Sequence, residues 1–270
     1  MRPSFLTKID KPVIGMVHLG ALPGSVHYKD SFSFVLQHAL DEAKMLVEAG
    51  FDALLFQNTG DVPASEQGDE ATVAFMTAAG IKLRDICPVP LGVNVLMNGS
   101  KAALAVARAC GAEFVRIKIN VGAVTTSTGV VAADPHEVLA FRRRIEAGGL
   151  TILGDLYDRT SAPLGEFPLP VLADLTLRHA AADALVVSGY DQADTLARLT
   201  LLRQAVPSAL LITGGGANEE NLEDFMRLSD AVIVGSSIKT GGGFLDLVDP
   251  EKARRFVEKA KEIRQRMKAA

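Results

Sequence analysis

The chain has 270 residues, of which 48% are hydrophobic and 22% charged, and it carries a formal net charge of −4. That balance lacks the basic excess of a nucleic-acid binder, and the length is close to the ~250 residues typical of one (β/α)8 barrel with a large core. Residues 1–10 are too polar for a signal peptide, no apolar stretch is long enough to span a bilayer, and Cys87 and Cys110 lack any metal-type or redox-type spacing. The expectation is a cytoplasmic protein with two reduced thiols, no integral membrane segment and no nucleic-acid partner.

Strand-like apolar runs fall at residues 13–18, 53–58, 90–96, 114–120, 151–156, 184–188, 209–213 and 231–236. Between and after them lie helical patterns at 34–49, 70–86, 101–110, 135–147, 170–181, 193–205, 219–227 and 250–267. Alternating strands and helices predict parallel strands joined by right-handed crossovers. Eight such units favour a closed α/β TIM barrel, one domain over residues 1–270. Connections from helix to strand are terse, as at Gly50 or Gly111-Ala112. Connections from strand to helix are long and polar, at 19–30, 59–69, 121–134 and 157–169. In a barrel these long loops gather on the C-terminal face, where active sites sit.

Candidate chemistry begins with His18, which closes the first strand and can act as an acid–base group, a metal ligand or a hydrogen-bonded spacer. Asn58 and Asp61 follow the second strand and Asn94 sits near the end of the third; such residues suit sugar hydroxyls or an oxygen-ligated Mg²⁺, and also suit turn formation, the commoner use of Asn and Asp in loops. In the fourth strand, alternation turns Val115, Ile117 and Ile119 toward the helices and Arg116, Lys118 and Asn120 inward. Two lumen cations need an anion, and Asp155 at the end of the fifth strand is the nearest in sequence order. Either the group is an internal ion pair, or Lys118 is a base, electrophile or imine-former with Asp155 as proton carrier. Arg159, in the next loop, is a further candidate substrate contact.

Two late segments carry the sharpest signal: Leu211-Ile-Thr-Gly-Gly-Gly-Ala217 and Ala231-Val-Ile-Val-Gly-Ser-Ser237. Each is an apolar run that ends in small residues ahead of a helical segment. Paired loops of this kind after the seventh and eighth strands form the usual phosphate site of a TIM barrel. The predicted phosphate contacts are Gly214, Gly215, Gly216, Gly235, Ser236 and Ser237, with Lys239 as a neutralising cation. The last helical pattern is basic on one side and apolar on the other, as a solvated outer helix would be.

Several segments resemble the BtpA/SgcQ family: Pro12-Val-Ile-Gly-Met-Val-His-Leu-Gly-Ala-Leu-Pro-Gly24, Asp52-Ala-Leu-Leu-Phe-Gln-Asn-Thr-Gly-Asp61, Gly92-Val-Asn-Val-Leu96, Ala182-Asp-Ala-Leu-Val-Val-Ser-Gly189 and Val234-Gly-Ser-Ser-Ile-Lys239. The resemblance implies a TIM barrel of the ribulose-phosphate-binding kind. The chain departs from that family's pattern at Gln57, Lys118, Asn120, Tyr157, Arg159 and Thr160, polar positions at strand ends. Together these features lead us to expect an isomerase, lyase or hydrolase acting on a small phosphorylated metabolite, with no required cofactor and self-association into a homo-oligomer. The alternative is a non-catalytic assembly factor of the photosystem I biogenesis type, which the resemblance also implies.

Overall fold

The structure, a computed structural model, describes residues 4–157 and 159–269. Its strands are β1 (Val13–His18), β2 (Ala53–Gln57), β3 (Leu91–Asn94), β4 (Phe114–Ile117), β5 (Ala123–Thr126), β6 (Gly129–Ala132), β7 (Thr151–Asp155), β8 (Ala162–Pro163), β9 (Ala184–Val187), β10 (Leu211–Gly214) and β11 (Ala231–Val234). Its helices are α1 (Ser4–Lys8), α2 (Phe32–Ala49), α3 (Glu70–Ile86), α4 (Ser100–Cys110), α5 (Pro135–Arg144), α6 (Leu169–Arg178), α7 (Gln192–Ala205), α8 (Leu222–Leu228) and α9 (Pro250–Ala269). Eight strands close into a parallel barrel in the order β1-β11-β10-β9-β7-β4-β3-β2, with the longer helices outside. This is the expected TIM barrel.

Strand alternation sorts the core into two layers. Val13, Val17, Val93, Val115, Ile117 and Ile152 pack outward against the helices. Ile14, Met16, Leu55, Phe114, Leu153, Ile212 and Ile233 fill the lumen. The interior is therefore a packed core and not a channel. Helix α1, which the sequence left unassigned, plugs the lower end: Phe5 stacks on Phe114 with ring centroids 4.6 Å apart.

The two ends of the barrel use carboxylates differently. At the lower end, acids just ahead of one strand accept from the backbone of its neighbour. Asp52 takes Val13 N at 2.8 Å, Glu113 takes Leu91 N at 2.8 Å, and Asp230 takes Leu211 N at 2.8 Å. At the upper end, Asp69, Asp134 and Asp191 cap helices α3, α5 and α7. Acids at the lower end hold register, which leaves the upper loops for other work.

Two of those loops are not irregular, as expected, but carry strands of their own. β5 and β6 form a hairpin within 121–134, and β8 from the 157–169 segment pairs with β5 through Val124↔Pro163 and Thr125↔Ala162. Beneath the hairpin Met97, Ile119 and Val131 form a small apolar cluster. Both cysteines are free and buried, and no helix among the described residues is long and apolar enough to cross a membrane.

Candidate active site

The upper end of the barrel opens into a cavity of about 220 Å³, lined by His18, Arg116, Lys118, Arg159, Gly214, Gly215, Gly216, Gly235 and Ser236, among others. The two glycine loops leave neighbouring strands, since Gly214 stands beside Ile233 in the β10–β11 register. Gly215 has φ +127°, and a Cβ there would lie 3.3 Å from the Arg159 Nη2, so the guanidinium rests against the glycine backbone. Ser237 braces the two loops by donating from Oγ to Ala217 O at 2.6 Å.

Arg116 reaches inward from β4, as its parity requires. Asp155 on β7 accepts from its Nε at 2.8 Å and from its Nη2 at 2.7 Å, a bidentate clamp with the carboxylate almost fully buried. The expected partnership forms. Both carboxylate oxygens accept from the guanidinium, so Asp155 holds Arg116 in place. Lys118 stands where the strand has ended, with Nζ 3.4 Å from Thr160 Oγ1 and 3.9 Å from Met97 Sδ.

His18 is 4% exposed. Burial, then the charges of Lys239 and Arg116, push its imidazole down to about 3. It is neutral at ordinary pH, and its Nδ1 has no hydrogen-bond partner among the described residues. Gly235 makes room for the ring: a Cβ there would sit 2.9 Å from His18 Cε1. The Phe244 ring covers it edge-on at 5.6 Å.

Several expected contacts lie elsewhere. Lys239 does not reach the glycine loops; it is wholly buried and donates to Glu42 Oε1 on α2 at 2.6 Å. Ser237 faces an outer cleft with Lys252 and Arg255. Asn58 and Asp61 brace loops: Asn58 donates to Asp61 at 2.9 Å and accepts from Leu96 N at 2.8 Å, while Asp61 accepts from Leu22 N at 2.8 Å. Among the described residues no group of three or more His, Cys, Asp or Glu stands together to hold a metal. Asn94 donates to Arg116 O at 2.8 Å, supporting β4 from beside the site. Asn120 donates to Ile117 O and Asp155 O and lines a second cavity.

Glu42 was missed by sequence reasoning. It accepts from Lys239 and, at 3.2 Å, from the backbone N of His18. The signal was present, because Glu42 interrupts the apolar stripe Val35, Ala39, Ala43 and Leu46 of α2. Also missed was the second cavity, about 440 Å³, which adjoins the first at Lys118 and is walled by Tyr157, Tyr190 and Arg198.

The BtpA family matches residues 9–262. The chain belongs to the BtpA family. It is 37% identical to an uncharacterized protein of Thermococcus kodakarensis over 94% of this chain and 97% of the other. It is 32% identical to the Photosystem I biogenesis protein BtpA of Synechocystis over 92% and 87%, and 30% identical to the putative sgc region protein SgcQ of Escherichia coli over 94% and 96%. Among solved structures it resembles N-(5'-phosphoribosyl)anthranilate isomerase of Pyrococcus furiosus, with a TM-score of 0.58, 15% identity and coverage of 93% and 99%. It also resembles 3-hexulose-6-phosphate synthase of Salmonella typhimurium, with a TM-score of 0.59, 17% identity and coverage of 93% and 99%. At such identities the structural likeness establishes the fold alone.

Proposed function

We propose that this BtpA-family barrel is an enzyme acting on a small phosphorylated metabolite, a sugar or nucleoside phosphate, in the mouth cavity. One observation carries the reading: the glycine loops after β10 and β11 meet Arg159 and Arg116 around a single space. Backbone N–H groups and guanidinium forks are the usual donors to phosphoryl oxygens. Barrels of the same fold named for phosphorylated sugars support the substrate class.

With the phosphoryl group on the glycine loops, the rest of the substrate extends toward Lys118 and His18. Lys118 serves as base or electrophile, or adds through Nζ to a substrate carbonyl and loses one water to form an imine. His18, being neutral, meets a hydroxyl or carbonyl by hydrogen bonding and not by charge. Isomerisation, aldol-type cleavage and hydrolysis are the reaction classes these groups can serve.

Calorimetric titration with inorganic phosphate and with ribose 5-phosphate tests the reading. Saturable binding of either is expected, weakened by Arg159→Ala; no binding of both would overturn it. The Synechocystis relative, named for photosystem I biogenesis, favours a second reading as a non-catalytic assembly factor. For that role Lys118→Ala would leave the cellular phenotype intact, whereas an enzyme would lose turnover with its fold preserved.

A further inference from the structure

The second cavity is larger than the mouth, about 440 Å³, within the ~300–1,000 Å³ common for ligand pockets. It lies between the loops after β4, β7 and β9, and Lys118 lines both spaces, so the two are neighbours at that side chain. One wall is aromatic. The Tyr157 and Tyr190 rings meet edge to face with centroids 5.6 Å apart, and their hydroxyls are hydrogen-bonded to each other. The Arg198 guanidinium lies 4.0 Å above the Tyr157 ring and is fixed by Asp194, whose Oδ1 accepts from Nε at 2.9 Å. This wall is pre-set.

Phe167, which also lines the cavity, is 48% exposed, and Tyr190 of the wall is 64% exposed. Aromatic surface left in water at the rim of a formed cavity is surface that a ligand there would cover. The interior is not purely apolar. Both amide hydrogens of Asn120 are committed to backbone carbonyls, which leaves its Oδ1 as an acceptor on a residue lining the space. A flexible alkyl chain would leave that acceptor unpaired, whereas a planar ring bearing an N–H would use it and present a π-face to the tyrosines.

We infer that this cavity is a subsite for a planar nitrogen-containing ring, of the nucleobase kind, joined through a sugar to the phosphoryl group held at the mouth. The inference rests on the phosphate reading above and narrows it to nucleoside phosphates and their close analogues. The ring occupies the tyrosine-lined space, the sugar passes Lys118, and the phosphoryl group lies on the glycine loops.

The test is calorimetry with ribose 5-phosphate and with adenosine, guanosine, cytidine and uridine 5′-monophosphates. At least one nucleotide is expected to bind about tenfold or more tightly than ribose 5-phosphate, a gain typical of ring stacking. Tyr190→Ala and Phe167→Ala, both at exposed positions, should each shrink that gain while leaving ribose 5-phosphate binding unchanged. If ribose 5-phosphate binds and no nucleotide improves on it, or if the gain survives both substitutions, the subsite is wrong and the phosphate reading stands. If inorganic phosphate, ribose 5-phosphate and all four nucleotides fail to bind, both fall together; if inorganic phosphate alone binds, only the subsite falls.

Discussion

Lys239 and Glu42 stand 197 residues apart in the chain and meet at 2.6 Å with no exposure of either side chain. The same carboxylate accepts from the backbone of His18, so one buried pair ties the last barrel loop, helix α2 and the end of β1. Desolvation pushes the Glu42 carboxyl up and the Lys239 ammonium down, and each charge pulls the other back. Removing one partner strands the other. Lys239→Met should lower stability in urea by about 3–5 kcal/mol, and adding Glu42→Leu should restore the larger part. A double variant no better than the single one would show that the pair is not what holds this junction.

The neutral imidazole of His18 gives stability a pH dependence whose sign is fixed. Its folded value, about 3, lies below the ordinary 6.5, so its contribution is whole above 6.5 and drains away as pH falls toward 3. Between pH 6.5 and 4.5 the wild type should lose about 2–3 kcal/mol more than His18→Gln, from two pH units at ~1.4 kcal/mol each. Parallel urea curves for the two proteins at both pH values would refute this if they shifted equally.

Arg159 is exposed and lies against Gly215. Arg159→Ala should leave the urea midpoint unchanged and weaken ribose 5-phosphate binding roughly 10- to 100-fold, the worth of a charge-assisted hydrogen bond. An unaltered affinity would remove this arginine from the anion site.

Lys118 is open to a direct chemical trial. Borohydride reduction in the presence of candidate aldehydes and ketones should leave a mass adduct on the wild type and none on Lys118→Ala. No adduct across a broad panel would eliminate the imine route and leave acid–base or electrophilic roles.

The barrel was legible because strand parity and loop asymmetry are local signals. Val115 and Ile117 against Arg116 follow from side-chain alternation alone, and the structure keeps that order. Parity fails where strands stop. Extended beyond β11 it turns Ser237 and Lys239 into the mouth, but the tight turn at Ser236–Ile238 has about three residues per turn and sends them outward. Asn58 and Asp61 have the right chemistry for a ligand, yet the backbone of neighbouring loops claims their oxygens first. The Tyr157–Tyr190 wall unites positions 33 residues apart on separate loops, and no sequence period records such a meeting. The small sheet was hidden for a similar reason, since β8 is two residues long and exists only through its partner.

That two-residue rung couples two loops that are far apart in the chain. By joining the segment after β7 to the hairpin after β4, it makes them one structural unit walling the larger chamber. For the same reason, a chimera made to exchange selectivity between family members should transplant residues 121–134 and 157–169 as one graft.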